Sequence, residues 1–228
     1  MEIRGFKLGP RQDLANAYLT ELNLAGVDLN GANLTNADMM QVDLTNANLS
    51  NANLTDANLS GANLTGANLS NANLTGANLE NADFGQVWTN LTGANLTGAN
   101  LTNAYLEKSR MRGANLTGAN LTNAILTDTN LTNANLTNAK LTDTHLANAD
   151  LSGANLSGAN LSDADLSNEA FHLQKQKSSS QLSAEWYARK TFGASNWHDV
   201  QYENSQKELE RMRPNLTGAT MPDGSIHE

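Results

Sequence analysis

The chain has 228 residues, of which 39% are hydrophobic but only 5% are aromatic, and its formal net charge is −9 at pH 7. It contains no cysteine, which excludes disulfides, thiolate metal sites and a cysteine nucleophile. Residues 12–170 carry 15 acidic and 4 basic residues, and this excess of acid argues against a nucleic-acid-binding surface, which needs a basic stripe.

The N-terminal segment, MEIRGFKLGPRQ, lacks the apolar core of a signal peptide, and no run of 18 apolar residues follows anywhere in the chain. We therefore expect a soluble, cytoplasmic protein without a membrane span. Residues 1–11, which include Phe6 and Leu8, fit no repeat and are predicted to form an N-terminal cap.

Residues 12–170 repeat a five-residue phrase such as NLTGA or NLSNA. A large apolar residue occupies every fifth position from Leu14 to Phe84 and again from Leu91 to Leu166, which gives 31 repeat centres. A period of five fits neither the turn of a helix, about 3.6 residues, nor the alternation of a strand. Because Gly and Asn, which tolerate a positive φ, end most phrases, each phrase predicts a short extended stretch followed by a corner.

Departures from this repeat recur at steps of 20 residues. They form three sets: Leu22 and Val42; Thr89, Ser109 and Thr129; and Tyr105, Ile125 and His145. Residues at this spacing are predicted to be neighbours in adjacent coils. Four phrases then make one coil of a square solenoid, and 31 centres make about eight coils.

The repeat is interrupted once. Seven residues, rather than five, separate Phe84 from Leu91, and Trp88 lies within the added length. Since the regular spacing continues on both sides, the sequence predicts a two-residue bulge at 85–90 in an otherwise continuous solenoid.

The repeats resemble the pentapeptide-repeat family, whose pattern is A(D/N)LXX, over residues 12–168. The C-terminal NLTGATMPDGSIHE is similar to tails of cyanobacterial members. The resemblance implies an all-β solenoid, a right-handed quadrilateral β-helix. It also implies two kinds of function, because some members mimic DNA and bind DNA gyrase, whereas most have no assigned activity.

Residues 171–228 have a different composition and are predicted to form a small α-helical C-terminal region and tail. Ser183 is a candidate N-cap of a helix that Gly193 could end, and Asn196 could cap a second helix that stops at Pro214.

Leu216 and Met221 are five residues apart and resume the repeat spacing. Two interpretations stay open: the tail docks back as a fragment of a coil, or it is inherited sequence in an exposed tail.

Enzymatic motifs are nearly absent. The four histidines are scattered, and no Ser/His/acid triad or paired-His spacing occurs; they are His145, His172, His198 and His227. We therefore expect a non-enzymatic protein without a cofactor, a metal or a catalytic residue.

A candidate interaction surface lies beside the predicted bulge, where exposed aromatic and apolar residues would adjoin three of the four bases of residues 12–170. Such a composition is typical of protein interfaces. Its seven residues are Trp88, Tyr105, Lys108, Arg110, Arg112, Ile125 and His145. The alternatives are that the C-terminal region or a second copy covers this strip, or that Trp88 only fills its own loop.

The sequence therefore predicts a protein-interaction scaffold with an unknown protein partner. A homodimer through one end of the solenoid or through the exposed strip is a further expectation. The alternative is a DNA-mimicking inhibitor or protector of an enzyme such as DNA gyrase. Eight stacked coils would be roughly 37 Å long, a length over which duplex DNA carries about 22 charges. The net charge of −11 on residues 12–170 is half of that.

Overall fold

The N-terminus of the computed structural model is a hairpin that covers the start of a solenoid. The structure describes residues 2–3, 5–85, 88–166 and 214–226. Strand β1 (Glu2–Ile3) pairs antiparallel with strand β2 (Phe6–Lys7). Ile3 and Phe6 pack against the hydrophobic core, and Leu8 is buried in it. The hairpin thus shields the first coil, whose upper edge would otherwise present unpaired backbone groups to other chains.

From Asp13 onward, parallel bridges join each residue that precedes a repeat centre to its counterpart 20 positions later. Four bridging residues make one coil, and they define four faces: face 1 begins at Asp13, face 2 at Tyr18, face 3 at Asn23 and face 4 at Asp28. We number the coils from their face 1 residue, so that coil 1 begins at Asp13 and coil 8 at Asn155. This arrangement is the four-phrase coil that the recurring departures predicted.

The interior is filled by the repeat centres and by the small residues two positions before them. Leu54 and Ala52 are representative: both are almost completely buried. The backbone connects the coils in both directions, since Leu54 N donates to Asn73 O in the next coil at 2.6 Å and Asn53 N donates to Ala32 O in the previous one at 2.9 Å. Each coil therefore depends on its neighbours for its hydrogen bonds.

Corners are made by residues in the left-handed region of φ. Most are Asn or Gly, as at Asn36 (φ 55°) and Asn71 (φ 55°). Both residue types adopt this conformation at low cost, which is why the repeat has them at the phrase ends.

Side chains form hydrogen-bonded ladders outside the core on face 1. Thr55 Oγ1 donates to Asn53 Oδ1 at 2.6 Å, and Asn73 Nδ2 donates to the same Thr55 hydroxyl from the next coil at 2.9 Å. The same pattern joins Asn53 to Thr35 at 2.9 Å. The consensus Asn and Thr thus stabilise the stack as well as the individual corner.

The bridge spacing changes from 20 to 22 residues where the chain passes from Phe84 to Leu91. Asn68 pairs with Asn90 and Asp83 with Tyr105, each 22 positions apart, and the 20-residue spacing returns from Asn90 to Arg110. The two additional residues therefore lie at the corner between faces 3 and 4 of coil 4.

Residues 214–226 return to the solenoid and add part of a ninth coil below coil 8. Asn215 pairs in parallel with Asn155 on face 1, and Thr220 pairs with Asn160 on face 2. Ala219 is buried. Of the two interpretations of the tail, the structure thus has the docked coil fragment.

The tail then ends in a turn. Met221 N donates to Ser225 O at 2.7 Å, and Ile226 pairs antiparallel with Thr220. This turn covers the lower edge of face 2. The two predicted helices of the C-terminal region, between Ser183 and Pro214, lie outside the described residues.

Candidate interaction surface

The bulge begins with a glycine that no other residue could replace without strain. Gly85 has a φ of 67°, and a Cβ built on it would lie 2.6 Å from the Thr65 side chain in the coil above. Its N–H donates to Asp83 Oδ1 at 2.7 Å. Close packing and a side-chain acceptor therefore fix the entry of the bulge.

Thr89 closes the bulge from inside. Its buried hydroxyl lies 2.5 Å from Phe84 O and 3.1 Å from Leu64 O, and it accepts a hydrogen bond from Gly66 N at 3.0 Å. At an ordinary corner the equivalent N–H donates to a backbone carbonyl, as Gly61 N does to Glu80 O at 2.8 Å. The Thr89 hydroxyl thus supplies the acceptor that the displaced backbone does not.

Trp88 lies on the outside of this corner. Its side chain is 62% exposed, and Arg110 Cζ lies 5.0 Å from the centroid of its ring. A guanidinium at this distance is attracted by the ring electrons and stabilises the contact by about 0.5–1 kcal/mol at an exposed site. Each side chain therefore restrains the other in an outward-facing position.

Tyr105, Ile125 and His145 stack on face 3 in successive coils, directly below Asp83. Tyr105 is 49% exposed and His145 is exposed, whereas Ile125 between them is half-buried. The stack therefore presents an aromatic and polar surface, and Ile125 contributes less to it than its neighbours do.

The three basic residues are all exposed and surround face 4 of coil 5. Lys108 lies at the corner between faces 3 and 4, Arg110 bridges to Asn90 and Asn130 on face 4, and Arg112 lies at the corner between faces 4 and 1. The structure thus brings Trp88 together with Arg110 and places Lys108 beside them. Arg112 lies at the far side of face 4, away from the face 3 stack.

Sequence reasoning gave no weight to a second exposed apolar pair near the N-terminus. Tyr18 on face 2 is 64% exposed, and Met40 at the adjacent corner of coil 2 is 37% exposed. Tyr18 stands where the repeat has Asn or Asp, so the same departure from the consensus that identified Tyr105 could have identified it.

Neither a metal centre nor a membrane span is found in the described parts of the chain. No group of three or more His, Asp and Glu residues is placed to hold an ion there. Within the same ranges, no helix has the length and apolarity needed to cross a bilayer.

A family model for pentapeptide repeats (8 copies) matches residues 13–46, 47–86, 89–128 and 129–168. The chain belongs to the pentapeptide-repeat family. The match stops at residue 86 and resumes at residue 89, on either side of the exposed Trp88 corner.

Among solved structures, this pentapeptide-repeat protein is similar to HetL, which is involved in heterocyst differentiation regulation in the cyanobacterium Nostoc. The identity is 32%, the match covers 95% of this chain and 77% of HetL, and the TM-score is 0.68. Rfr23 from the cyanobacterium Cyanothece is 31% identical over 61% of this chain and 84% of its own, with a TM-score of 0.24.

A pentapeptide-repeat protein from the thylakoid lumen of Arabidopsis thaliana is 29% identical over 50% of this chain and 75% of its own, with a TM-score of 0.29. No protein with curated annotation matches the chain in sequence.

Proposed function

We propose that this pentapeptide-repeat protein is a non-enzymatic interaction scaffold, a right-handed quadrilateral β-helix that presents a binding surface for a protein partner. The aromatic–basic surface consists of Trp88, Tyr105, Lys108, Arg110, Arg112, Ile125 and His145. The observation that carries the proposal is the exposed Trp88 side chain, held by Arg110 on the outside of the bulge.

The solenoid explains why this surface suits binding. Trp, Tyr and Arg are the side chains that contribute most to protein interfaces, and they do so most effectively where they are already ordered. Trp88 is fixed by Arg110, and Tyr105 is bonded through its backbone to Ala82 and Phe84 in the coil above. A partner that covers these rings therefore gains buried apolar area without having to order the backbone beneath them.

The similarity to HetL supports a role in regulation. HetL is involved in the regulation of a differentiation process, and its likeness extends over 95% of this chain. A solenoid that offers one specialised surface and otherwise uniform faces is suited to holding a regulatory partner. The cytoplasmic location that the sequence favours stays a prediction, and cell fractionation tests it.

Affinity capture tests the proposal. The bait is the full chain, compared with the triple variant Trp88→Ala/Tyr105→Ala/Arg110→Ala. A matched control is Tyr18→Ala/Met40→Ala/Lys140→Ala, which removes an aromatic, an apolar and a basic side chain from exposed positions elsewhere. We expect partners that the wild type and the control retain but the first variant loses. Equal retention by all three baits would contradict the proposed surface.

The charge distribution gives little support to the DNA-mimic alternative. Asp residues occupy bridging positions on all four faces, but none of them bridges directly to another Asp within the described coils. On face 3, for example, Asn63 separates Asp43 from Asp83. DNA presents a continuous row of phosphates. A supercoiling assay with DNA gyrase checks the alternative, since inhibition at low micromolar concentration would favour mimicry over the scaffold.

A further inference from the structure

The cations of the aromatic–basic surface form a compact row. Lys108, Arg110 and Arg112 alternate along coil 5, and all three are exposed. They are three of the four basic residues of the segment 12–170, whose net charge is −11. The fourth, Lys140, lies on face 2, two coils further down. Basic charge is therefore concentrated in one row on a body that is otherwise acidic.

These cations have no acidic partner in the described parts of the chain. Arg110 lies against the Trp88 ring, and neither Lys108 nor Arg112 forms an ion pair in those parts. Their hydrogen-bonding capacity is available, and the guanidinium of Arg110 can donate to a carboxylate through two parallel N–H groups.

The size of the row limits what it can bind. Asp128 occupies the corner directly below Lys108, and Asp150 lies on face 4 two coils below Arg110. Asp83 lies one coil above Tyr105. The cationic zone is thus one coil high, about 4.8 Å, and has acids above and below it. A long polyanion such as a nucleic acid strand would extend beyond the row and meet like charge.

We propose that the surface binds a short, extended acidic segment of a partner protein, with two or three carboxylates along coil 5 and one aromatic or large apolar side chain against Trp88 and Tyr105. This inference rests on the proposed scaffold function and adds the chemistry of the partner. The carboxylates contact Lys108, Arg110 and Arg112, and the apolar side chain covers the rings on the neighbouring corner.

Exposure decides the character of the complex. Ion pairs at an exposed rim are weak one by one and are screened by salt, so they determine which segment binds and how fast more than how tightly. The apolar contact with Trp88 supplies the remaining affinity. We therefore expect salt-sensitive binding that requires both parts of the segment.

A selection experiment tests this inference. The full-length chain is immobilised and a library of random linear peptides displayed on phage is selected on it. Enriched peptides are synthesised, and their dissociation constants are measured by fluorescence anisotropy at low and at high salt. Two variants are compared: the row variant Lys108→Gln/Arg110→Gln/Arg112→Gln and the ring variant Trp88→Ala/Tyr105→Ala. Lys140→Gln is the matched control, because it removes an exposed cation on another face.

We expect enriched peptides with at least two Asp or Glu residues and an aromatic or large apolar residue. Their dissociation constants should rise about tenfold or more in each variant and at high salt, and should stay unchanged in Lys140→Gln. Circular dichroism checks that the variants fold, since all substituted side chains lie outside the core.

Other outcomes separate the inference from the function on which it rests. Peptides that lose affinity for the ring variant but not for the row variant would overturn the acidic segment and leave the binding surface standing. Peptides that bind all proteins equally, or no enrichment at all, would overturn both. A thymidine oligonucleotide that displaces the peptides with higher affinity would overturn the acidic segment in favour of a nucleic acid.

Discussion

At the scale of single residues, hydroxyl groups replace the interior Ala at several positions, and they differ in whether they find a hydrogen-bond partner. Thr129 Oγ1 donates to Leu106 O at 2.8 Å, and Thr89 Oγ1 has the contacts that close the bulge. Ser109, one coil below Thr89, is equally buried, but its hydroxyl has no partner. By analogy with Thr129, its acceptor would be Phe84 O, which accepts from Thr89 instead.

We predict opposite consequences when these two hydroxyls are removed by the same consensus substitution. Thr89→Ala should reduce the free energy of unfolding by about 1–3 kcal/mol, because Gly66 N and Phe84 O lose their partner inside the protein. Ser109→Ala should be neutral or stabilise by up to about 1 kcal/mol, because it removes an unpaired buried group. Urea unfolding measures both, and a larger loss for Ser109→Ala than for Thr89→Ala would contradict this account.

Asp43 connects residue chemistry to pH. The hydroxyl of Thr45, and then its backbone N–H, donates to Asp43 Oδ1 at 2.5 and 2.9 Å, and these bonds lower the pKa of the carboxyl below its ordinary value. A carboxyl with a lowered folded-state pKa stabilises the fold above its unfolded-state pKa. This contribution is lost as the pH falls through the folded-state pKa.

We predict that Asp43→Asn lowers the acid sensitivity of the fold. Asn keeps the acceptor, since Asn53 Oδ1 accepts the same pair of bonds from Thr55 at 3.2 and 2.6 Å. The free energy of unfolding of the variant should therefore fall less than that of the wild type as the pH is lowered through the carboxyl range. Urea unfolding at several pH values measures this. Asp128→Asn, at an exposed corner, is the control, and parallel curves for all three proteins would rule the effect out.

At the scale of elements, the C-terminal tail acts as the lower end of the solenoid. The amides of Gly158 and Leu161 donate to Thr217 O at 2.8 Å and Thr220 O at 2.7 Å. The tail also buries Ala219 against coil 8. Without it, the edge of coil 8 would be open on faces 1 and 2.

Deletion of residues 214–228 should accelerate amide hydrogen exchange at Gly158 and Leu161, because both lose their acceptors. Gly118 and Leu121 are the matched control, since they occupy the same positions two coils above and donate to Thr137 O and Lys140 O. Their exchange should change little. Unchanged protection at Gly158 in the truncated chain would show that the tail is not its acceptor in solution.

Several elements could be predicted from the sequence because they repeat. The spacing of large residues and the 20-residue recurrences led to the four-sided coil, since every coil obeys the same packing rule. The tail could not be decided in this way. Leu216 and Met221 have the repeat spacing, but 50 residues separate Leu216 from Leu166, and spacing alone does not show which open edge a detached segment meets.

The candidate surface was predictable as a neighbourhood and not as a geometry. Repeat arithmetic placed Tyr105, Ile125 and His145 in one column, as the bridges do. The contact of Arg110 with Trp88 depends on the path of the non-repeating bulge, which no periodicity describes. The half-buried position of Ile125 likewise depends on its neighbours.

At the scale of the whole molecule, the acids are distributed so that no two bridging Asp residues are direct vertical neighbours in the described coils. On face 3, Asn63 separates Asp43 from Asp83, and Asn63 N donates to Val42 O in the coil above. Coils are about 4.8 Å apart, a distance at which stacked carboxylates repel each other. The order of the coils is therefore specified by charge as well as by the length of the repeat.

Removal of one whole coil tests this point, because the consensus repeat rejoins without a seam. Deletion of residues 53–72 would place Asp83 directly below Asp43, whereas deletion of residues 33–52 removes a coil of equal length and brings no two bridging Asp residues together. We expect the first variant to be less stable than the second by about 0.5–1 kcal/mol in urea unfolding at neutral pH. Addition of Asp83→Asn should restore the first variant, because Asn removes the charge and keeps an acceptor for Gly85 N. If both deletions had the same stability and Asp83→Asn had no effect, repulsion between coils would not be what separates the acids.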